Sequence, residues 1–260
     1  MGLTLPLATV EVVLLVGVRI AAFLLVAPPF AHKAVPGRVK AMLAMGLALA
    51  AGPRAVAAAG PTAGTAIASG TAQFIGAVLL QALIGLALGF LVALVFYAVQ
   101  SAGNLIDLFG GFQLAQAFDP MSMSNGAQFS RVYQMTAMVL LFASDAHQVL
   151  VAGLLRSFDA LPLGTALDLA SLAEVASDGL TDMFVAALQV AGPLIAVLFL
   201  ADAGLGLLTR VAPALNAFAL GFPLKILLTL SLGVTAYLAL PEVVSALSGD
   251  AIEAMIGVTG

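Results

Sequence analysis

Six stretches of this chain, approximately residues 7 to 27, 41 to 59, 74 to 99, 127 to 151, 180 to 207 and 219 to 240, are predominantly apolar. Each is close to the length a helix needs to cross the hydrocarbon core of a bilayer, about 20 residues. The second is alanine-rich and ended by "AGPRA", and the fourth carries Arg131, Gln134 and Asp145, so five to six spans are expected. Only 8% of the 260 residues are charged, against about 25% in an ordinary soluble domain. The fold class predicted is all-α: membrane-associated, kinked helical hairpins.

Charge between these stretches is uneven. "PPFAHKAVPGRVK" holds Lys33, Arg38 and Lys40, whereas residues 145 to 182, read as a loop region, hold Asp145, Asp159, Asp168, Glu174, Asp178 and Asp182 against one Arg156. The excess of basic residues places the first loop in the cytoplasm, and six spans then put both termini outside. Nine basic residues scattered singly make no phosphate-tracking patch, so nucleic acid is not an expected partner. The opening "MGLTLPLATVEVV" has no basic n-region and sets Glu11 where a signal peptide has its apolar core; it is expected to belong to the mature chain.

Membrane helices usually anchor at the interfaces with Trp and Tyr, yet Trp is absent and Tyr occurs three times. Small residues recur instead at Gly17 to Ala21, at "GLALG" from Gly85 to Gly89, and at Gly192 to Ala196. Such spacings let backbones approach closely, which points to helices that face protein as well as lipid. Taken singly, each is better explained by a glycine- and alanine-rich composition. Arg19 lies deep in the first segment, where a charge is expensive and normally faces a partner or a water-filled space. Gln73 and Gln81 open the third, Gln189 sits in the fifth, and Asp202 and Arg210 lie near its end. Pro193 and Pro223 are expected to kink the fifth and sixth segments.

Catalysis is not expected. His32 and His147 lie in separate connections, no GxSxG or HExxH motif occurs, and the chain has no cysteine. Neither a metal site nor a cofactor is predicted. A secondary transporter with broken helices is the stronger competing class, but it should show matching interrupted segments in two halves. "GGFQLAQAFDPMSMSNGAQ", residues 110 to 128, has no counterpart near residues 220 to 240. This stretch is too polar to span a bilayer and unusually apolar for a loop. Gly110, Gly111 and Pro120 break helical continuation, while Phe112, Phe118, Met121 and Met123 supply bulk and adaptable packing. On the residues alone, Phe and Met in a connection more often pack on a neighbouring helix than sit in a lumen. Asp107 and Asp119 are candidate proton-relay groups, with exposed loop carboxylates the commoner case.

Four stretches carry a resemblance: "VRIAAFLLVAPPFAHKAVPGRVKAMLA", "AVQSAGNLIDLFGGFQLAQAFDP", "LLRSFDALPLG" and "DAGLGLLTRVAPALNAFALGFPLKI". In this order they resemble the FliR family of flagellar biosynthesis proteins, whose virulence counterparts are the T components of injectisome export gates. The last stretch is the most specific, with Arg210, Pro213, Asn216, Phe218, Gly221, Pro223 and Lys225 in one apolar setting.

The resemblance implies a subunit of a multi-subunit conical export gate, built with FliP and FliQ, in the bacterial inner membrane at the flagellar basal body. It implies FlhB, FlhA, basal-body ring and proximal rod proteins as neighbours and rod, hook and filament subunits as cargo, with lipid around the assembly. Family members resemble a fusion of FliP and FliQ, so residues 1–179, including a plug loop at 106–126, are expected to be FliP-like and residues 180–260 a FliQ-like hairpin. The glycine-rich stretch is implied to project a plug into the pore, with Phe112, Phe118, Met121 and Met123 as the stopper and Gly110, Gly111 and Pro120 as its hinge. Arg210, Pro213, Asn216, Phe218, Pro223 and Lys225 are read as a turn between two helices that docks on neighbouring subunits, Arg210 and Lys225 being able to pair with a partner's carboxylates.

Overall fold

Apolar periodicity in this chain resolves entirely into helices. The computed structural model describes residues 7–59, 70–113, 128–165, 167–212 and 217–257, and among them there are eight helices and no strand. They are α1 (Leu7–Val26), α2 (Gly37–Ala59), α3 (Thr71–Phe109), α4 (Gln128–Ala143), α5 (Ala146–Ala160), α6 (Leu169–Val211), α7 (Ala217–Leu238) and α8 (Leu240–Gly257). Helices α1, α2, α3, α6 and α7 are long and apolar enough to cross a membrane, and α4 with α5 make a sixth if taken as one broken span.

The helix ends depart from the apolar segments. Helix α2 runs through Pro53 to Ala59 rather than stopping at "AGPRA". Proline removes one donor, but Ala51 and Ala55 on either side belong to a buried stripe with Ala44 and Ala48, and that burial carries the helix on. The fourth segment is broken at Ser144 and Asp145, where Asp145 takes a left-handed φ of 57° that an aspartate tolerates better than most side chains. Residues 145 to 182 are not a loop but mostly helix. Glu174, Asp178 and Asp182 recur every fourth residue on an exposed stripe of α6, so a solvated helix face accommodates them. At 39 and 43 residues, α3 and α6 are about 58 and 64 Å long. Both greatly exceed a hydrocarbon core of about 30 Å.

The chain divides into two compact units, each from separate stretches of sequence. One comprises Met1–Leu94, Ser144–Leu180 and Ser248–Gly260; the other comprises Val95–Ala143 and Thr181–Leu247. In the first unit, α1 buries Leu15, Val16, Ile20, Phe23 and Leu24, and α2 meets it with its alanine stripe. Gly17 faces the Ala48 Cβ, and Gly52 faces a Val13 methyl. Gly85 and Gly89 of "GLALG" lie against α1 itself: a Cβ on Gly85 would strike the Arg19 carbonyl oxygen, and one on Gly89 would come 3.0 Å from that of Phe23. The spacing is therefore a backbone-to-backbone seat within the chain. Gly192 has nothing within 4 Å of where its Cβ would stand.

In the second unit, Val95, Ala98, Val99, Ala102 and Ile106 of α3, Tyr133, Ala137 and Leu141 of α4, and Met183, Val190, Ala191, Leu194 and Leu198 of α6 are buried. Pro193 and Pro223 lie inside α6 and α7. Only 17% of the apolar window of α7 is buried within the chain. Leu227, Leu230, Val234 and Leu238 are left outward, a surface that lipid or another protein must cover.

Candidate functional site

Arg19 is wholly buried, and among the described residues no carboxylate pairs with it. Its Nε donates to Gln81 Oε1 at 2.7 Å, one terminal nitrogen donates to the Ser157 carbonyl at 2.9 Å and its Oγ at 3.2 Å, and the other donates to the Leu161 carbonyl at 2.8 Å. The guanidinium carbon stands 4.3 Å from the centre of the Phe158 ring. Ser157 and Leu161 bracket the end of α5, which carries the negative end of the helix dipole; the Ser157 carbonyl accepts the Leu161 N–H at 2.9 Å as well. Arg19 is thus a C-terminal cap supplied by another helix, and its flat fork ties α1, α3 and α5 together. At the surface of the same unit, Arg54 of α2 pairs with Asp159 of α5, with Nε to Oδ1 at 3.0 Å. Exposed pairs of this kind contribute little to stability, being screened by solvent.

The glycine pair lies just past the end of α3. Gly111 takes φ +81°, its N–H donates to the Leu108 carbonyl at 3.3 Å, and the Phe112 N–H donates to the Asp107 carbonyl at 3.0 Å. That is a Schellman stop, which needs a left-handed residue at this point. A Cβ on Gly110 would stand 2.7 Å from Thr229 Oγ1, so α7 crowds the same turn. Phe112 is half-buried, its ring meeting Phe129 edge-on with centroids 5.4 Å apart. Phe118, Pro120, Met121 and Met123 lie outside the described residues.

Asp107 is not an exposed loop carboxylate. It sits in the last turn of α3 with no exposed surface. Its Oδ1 accepts the Phe129 N–H and its Oδ2 the Ser130 N–H, both at 3.0 Å. Those are unpartnered donors of the first turn of α4, where a negative charge is favoured. Helix α3 approaches closely enough because residue 103 is glycine, and any Cβ there would overlap Ser130. From Phe129 the ring contacts continue to Tyr133 and to Tyr237 of α7, whose hydroxyl lies 3.1 Å from Thr136 Oγ1. Phe112, Phe129, Tyr133, Gly233, Val234 and Tyr237 line an apolar groove of about 380 Å³.

The third group is split by the description. Pro213 and Asn216 lie outside the described residues; Phe218 is in α7, but its side chain is not described. Arg210 is exposed in the last turn of α6, where a cation suits the helix dipole. Lys225 pairs within its own chain, Nζ to Asp202 Oδ2 at 2.7 Å, which links α7 back to α6. Among the described residues, no group of three or more His, Asp or Glu side chains converges.

Sequence reasoning singled out Arg19 and Gln81 but not Ser157 or Leu161, although both lie in "LLRSFDALPLG". Phe129, Tyr133 and Tyr237 were also missed; two of the chain's three tyrosines in this one cluster were the available signal.

Residues 10–251 match the family described as bacterial export proteins, family 1. The chain is similar to the flagellar biosynthetic protein FliR of Escherichia coli (strain K12), with 33% identity over 87% of this chain and 83% of the relative. Similarity to the FliR of Pectobacterium carotovorum subsp. carotovorum is 34% over 86% of this chain and 82% of that one. The secretion system apparatus protein SsaT of Salmonella typhimurium is 30% identical over 61% of each chain.

Proposed function

This chain belongs to the bacterial export proteins, family 1, and from that premise we propose that it is a subunit of a type III export gate in the bacterial inner membrane. It lines, together with FliP and FliQ, the channel through which rod, hook and filament subunits leave the cell. The observation that carries this reading is the extent of the likeness: the family match covers residues 10–251, and the Escherichia coli relative aligns over 87% of the chain. Likeness over 83% of the Escherichia coli flagellar relative, against 61% of SsaT, favours a flagellar basal body, with FlhB and FlhA beside the gate, over the virulence apparatus.

The physical surface is suited to such a place. Helices that leave Phe199, Leu200, Leu227 and Leu238 outward have apolar faces for neighbouring subunits and for lipid alike. Residues 1–179 supply the FliP-like part and 180–260 the FliQ-like hairpin. The end of α6 docks on neighbours through its exposed Arg210, while Lys225, inside α7, ties that helix to Asp202 of α6.

Within the gate, the segment that leaves α3 at Gly110 and Gly111 plugs the pore. Phe112, Phe118, Met121 and Met123 form a soft apolar stopper that excludes ions by dewetting and yields to a polypeptide. Deleting residues 112 to 123 is expected to raise ion leakage through the assembled gate in vesicles loaded with an ion-sensitive dye. Leakage equal to wild type in that deletion would remove the plug.

A further inference from the structure

We propose that the connection between α1 and α2, with the outer face of α2 below it, binds an anionic phospholipid. Lys33, Arg38 and Lys40 hold the headgroup phosphate, and Met42, Met45 and Leu49 hold an acyl chain. The charge in this part of the chain is one-sided. Between Glu11 and Asp107 there is no acidic residue, whereas five of the nine basic residues, Arg19, Lys33, Arg38, Lys40 and Arg54, fall there. Arg19 is engaged by the end of α5, and Arg54 by Asp159. Lys33, Arg38 and Lys40 remain, and among the described residues none of them has an ion-pair partner.

Their depth is set by the shortness of the connection. Only residues 27–36 separate α1 from α2, and they are folded into turns. The Ala31 N–H donates to the Ala27 carbonyl at 3.0 Å, the Val35 N–H to the His32 carbonyl at 3.1 Å, and the Ala34 N–H to His32 Nδ1 at 3.1 Å. Both flanking helices are long and apolar enough to cross a membrane, so the three cations stand at the level of the lipid headgroups. Arg38, Met42, Met45 and Leu49 then follow at intervals of four, three and four residues, which is one face of a helix. Met42, Met45 and Leu49 are 66%, 66% and 62% exposed, while the stripe of Ala44, Ala48, Ala51 and Ala55 is buried. From Arg38 to Leu49 the helix rises about 16 Å, half of a hydrocarbon core of about 30 Å and so the depth of one leaflet. A phospholipid carries the matching anion and apolar chain in one molecule; an acidic protein segment would have to supply them separately. Helix α7 gives the contrast. Leu227, Leu230 and Val234 are outward there too, but the nearby cation, Lys225, is already held by Asp202 at 2.7 Å, which leaves an apolar face with no preference among headgroups.

The chain has no tryptophan, so Leu49→Trp supplies a single fluorophore on the α2 face and Leu227→Trp a reference on α7. Each full-length chain is reconstituted in phosphatidylcholine vesicles containing brominated phosphatidylglycerol or brominated phosphatidylcholine, and quenching reads the relative binding of the two. At position 49 the anionic lipid is expected to bind at least about 5-fold better, the effect of roughly one cation near a lipid surface; at position 227 the two should quench alike. Lys33→Gln, Arg38→Gln and Lys40→Gln together are expected to bring position 49 to parity, whereas Lys33→Arg, Arg38→Lys and Lys40→Arg keep the preference. Salt tests the same point without these substitutions: at about 1 M, where charges are screened within about 3 Å, the preference should collapse. Inorganic phosphate, compared with chloride at equal ionic strength, should not displace the lipid. Equal quenching by the two lipids at position 49 overturns the proposal, as does a preference that survives the three glutamines or is equally strong at position 227. Displacement by inorganic phosphate overturns it in favour of a free-anion site. No lipid preference, together with loss of a co-purifying acidic protein from the glutamine variant, overturns it in favour of a protein interface.

Discussion

Replacing Arg19 with methionine is expected to cost about 3 kcal/mol of stability, since each buried acceptor left without its donor costs about 1–3 kcal/mol. Methionine keeps the stem and its packing but takes away every donor. The acceptors stay behind: Gln81 Oε1 and the Leu161 carbonyl lose the bonds they make at 2.7 and 2.8 Å, and Ser157 loses two more. Exchanging a whole buried ionic group for apolar residues can be neutral, but here two of the four acceptors are main-chain carbonyls and cannot be exchanged. Arg19→Lys is expected to recover only part of the loss, because an ammonium lacks the flat fork that reaches two helices at once. The measurement is the apparent unfolding temperature of the purified protein in detergent, together with the amount that accumulates in membranes. An Arg19→Met protein as stable as wild type would show that the clamp holds nothing.

The second large effect is expected at Gly85. A Cβ there meets the Arg19 carbonyl oxygen and lies 2.8 Å from the Ala22 Cβ, so what must yield is the backbone of α1 and not a flexible tip. Gly85→Ala is expected to cost about 1–3 kcal/mol as an overpacked contact, and Gly85→Val more. Gly192→Ala is the internal control. Nothing lies within 4 Å of the added methyl, so it is expected to be neutral or mildly stabilising through helix propensity. Because Gly85 presses on the residue that carries the clamp, Gly85→Ala and Arg19→Met should not add: their coupling is expected at about 1 kcal/mol in a double-mutant cycle. Equal tolerance of alanine at positions 85 and 192 would contradict close packing of α1 on α3.

What could be read in the sequence follows from where each interaction keeps its information. Unlike α8, most of α5 and the first turns of α6, the long apolar helices were legible, since an apolar run near 20 residues marks its own existence. Their ends were not: α3 continues ten residues past the predicted limit at 99. Gln100, Ser101, Asn104 and Asp107 are polar without being helix breakers, and burial of Ala102 and Ile106 holds that turn. The glycines of "GLALG" announced close approach correctly, but nothing in the spacing says which helix approaches.

The candidate sites divide in the same way. The depth of Arg19 was legible, and its need for partners with it. Two of the partners are main-chain carbonyls 138 and 142 residues away, and a carbonyl has no signature in a sequence. Asp107 was expected to be exposed because carboxylates usually are, and its true setting depends on N–H groups that exist only once α4 has formed beside it. Lys225 was matched to a carboxylate beyond the chain when Asp202, 23 residues earlier, already faced it.

The claim on which the rest depends is that these outward apolar faces are made for sister subunits. Purification of the tagged protein from its native membrane in mild detergent tests it most directly, with the mass and composition of the complex as the readout. Co-purification with FliP-like and FliQ-like proteins in one large assembly is the predicted result. A single copy surrounded by detergent and lipid, with no such proteins attached under conditions that preserve known membrane assemblies, would contradict it.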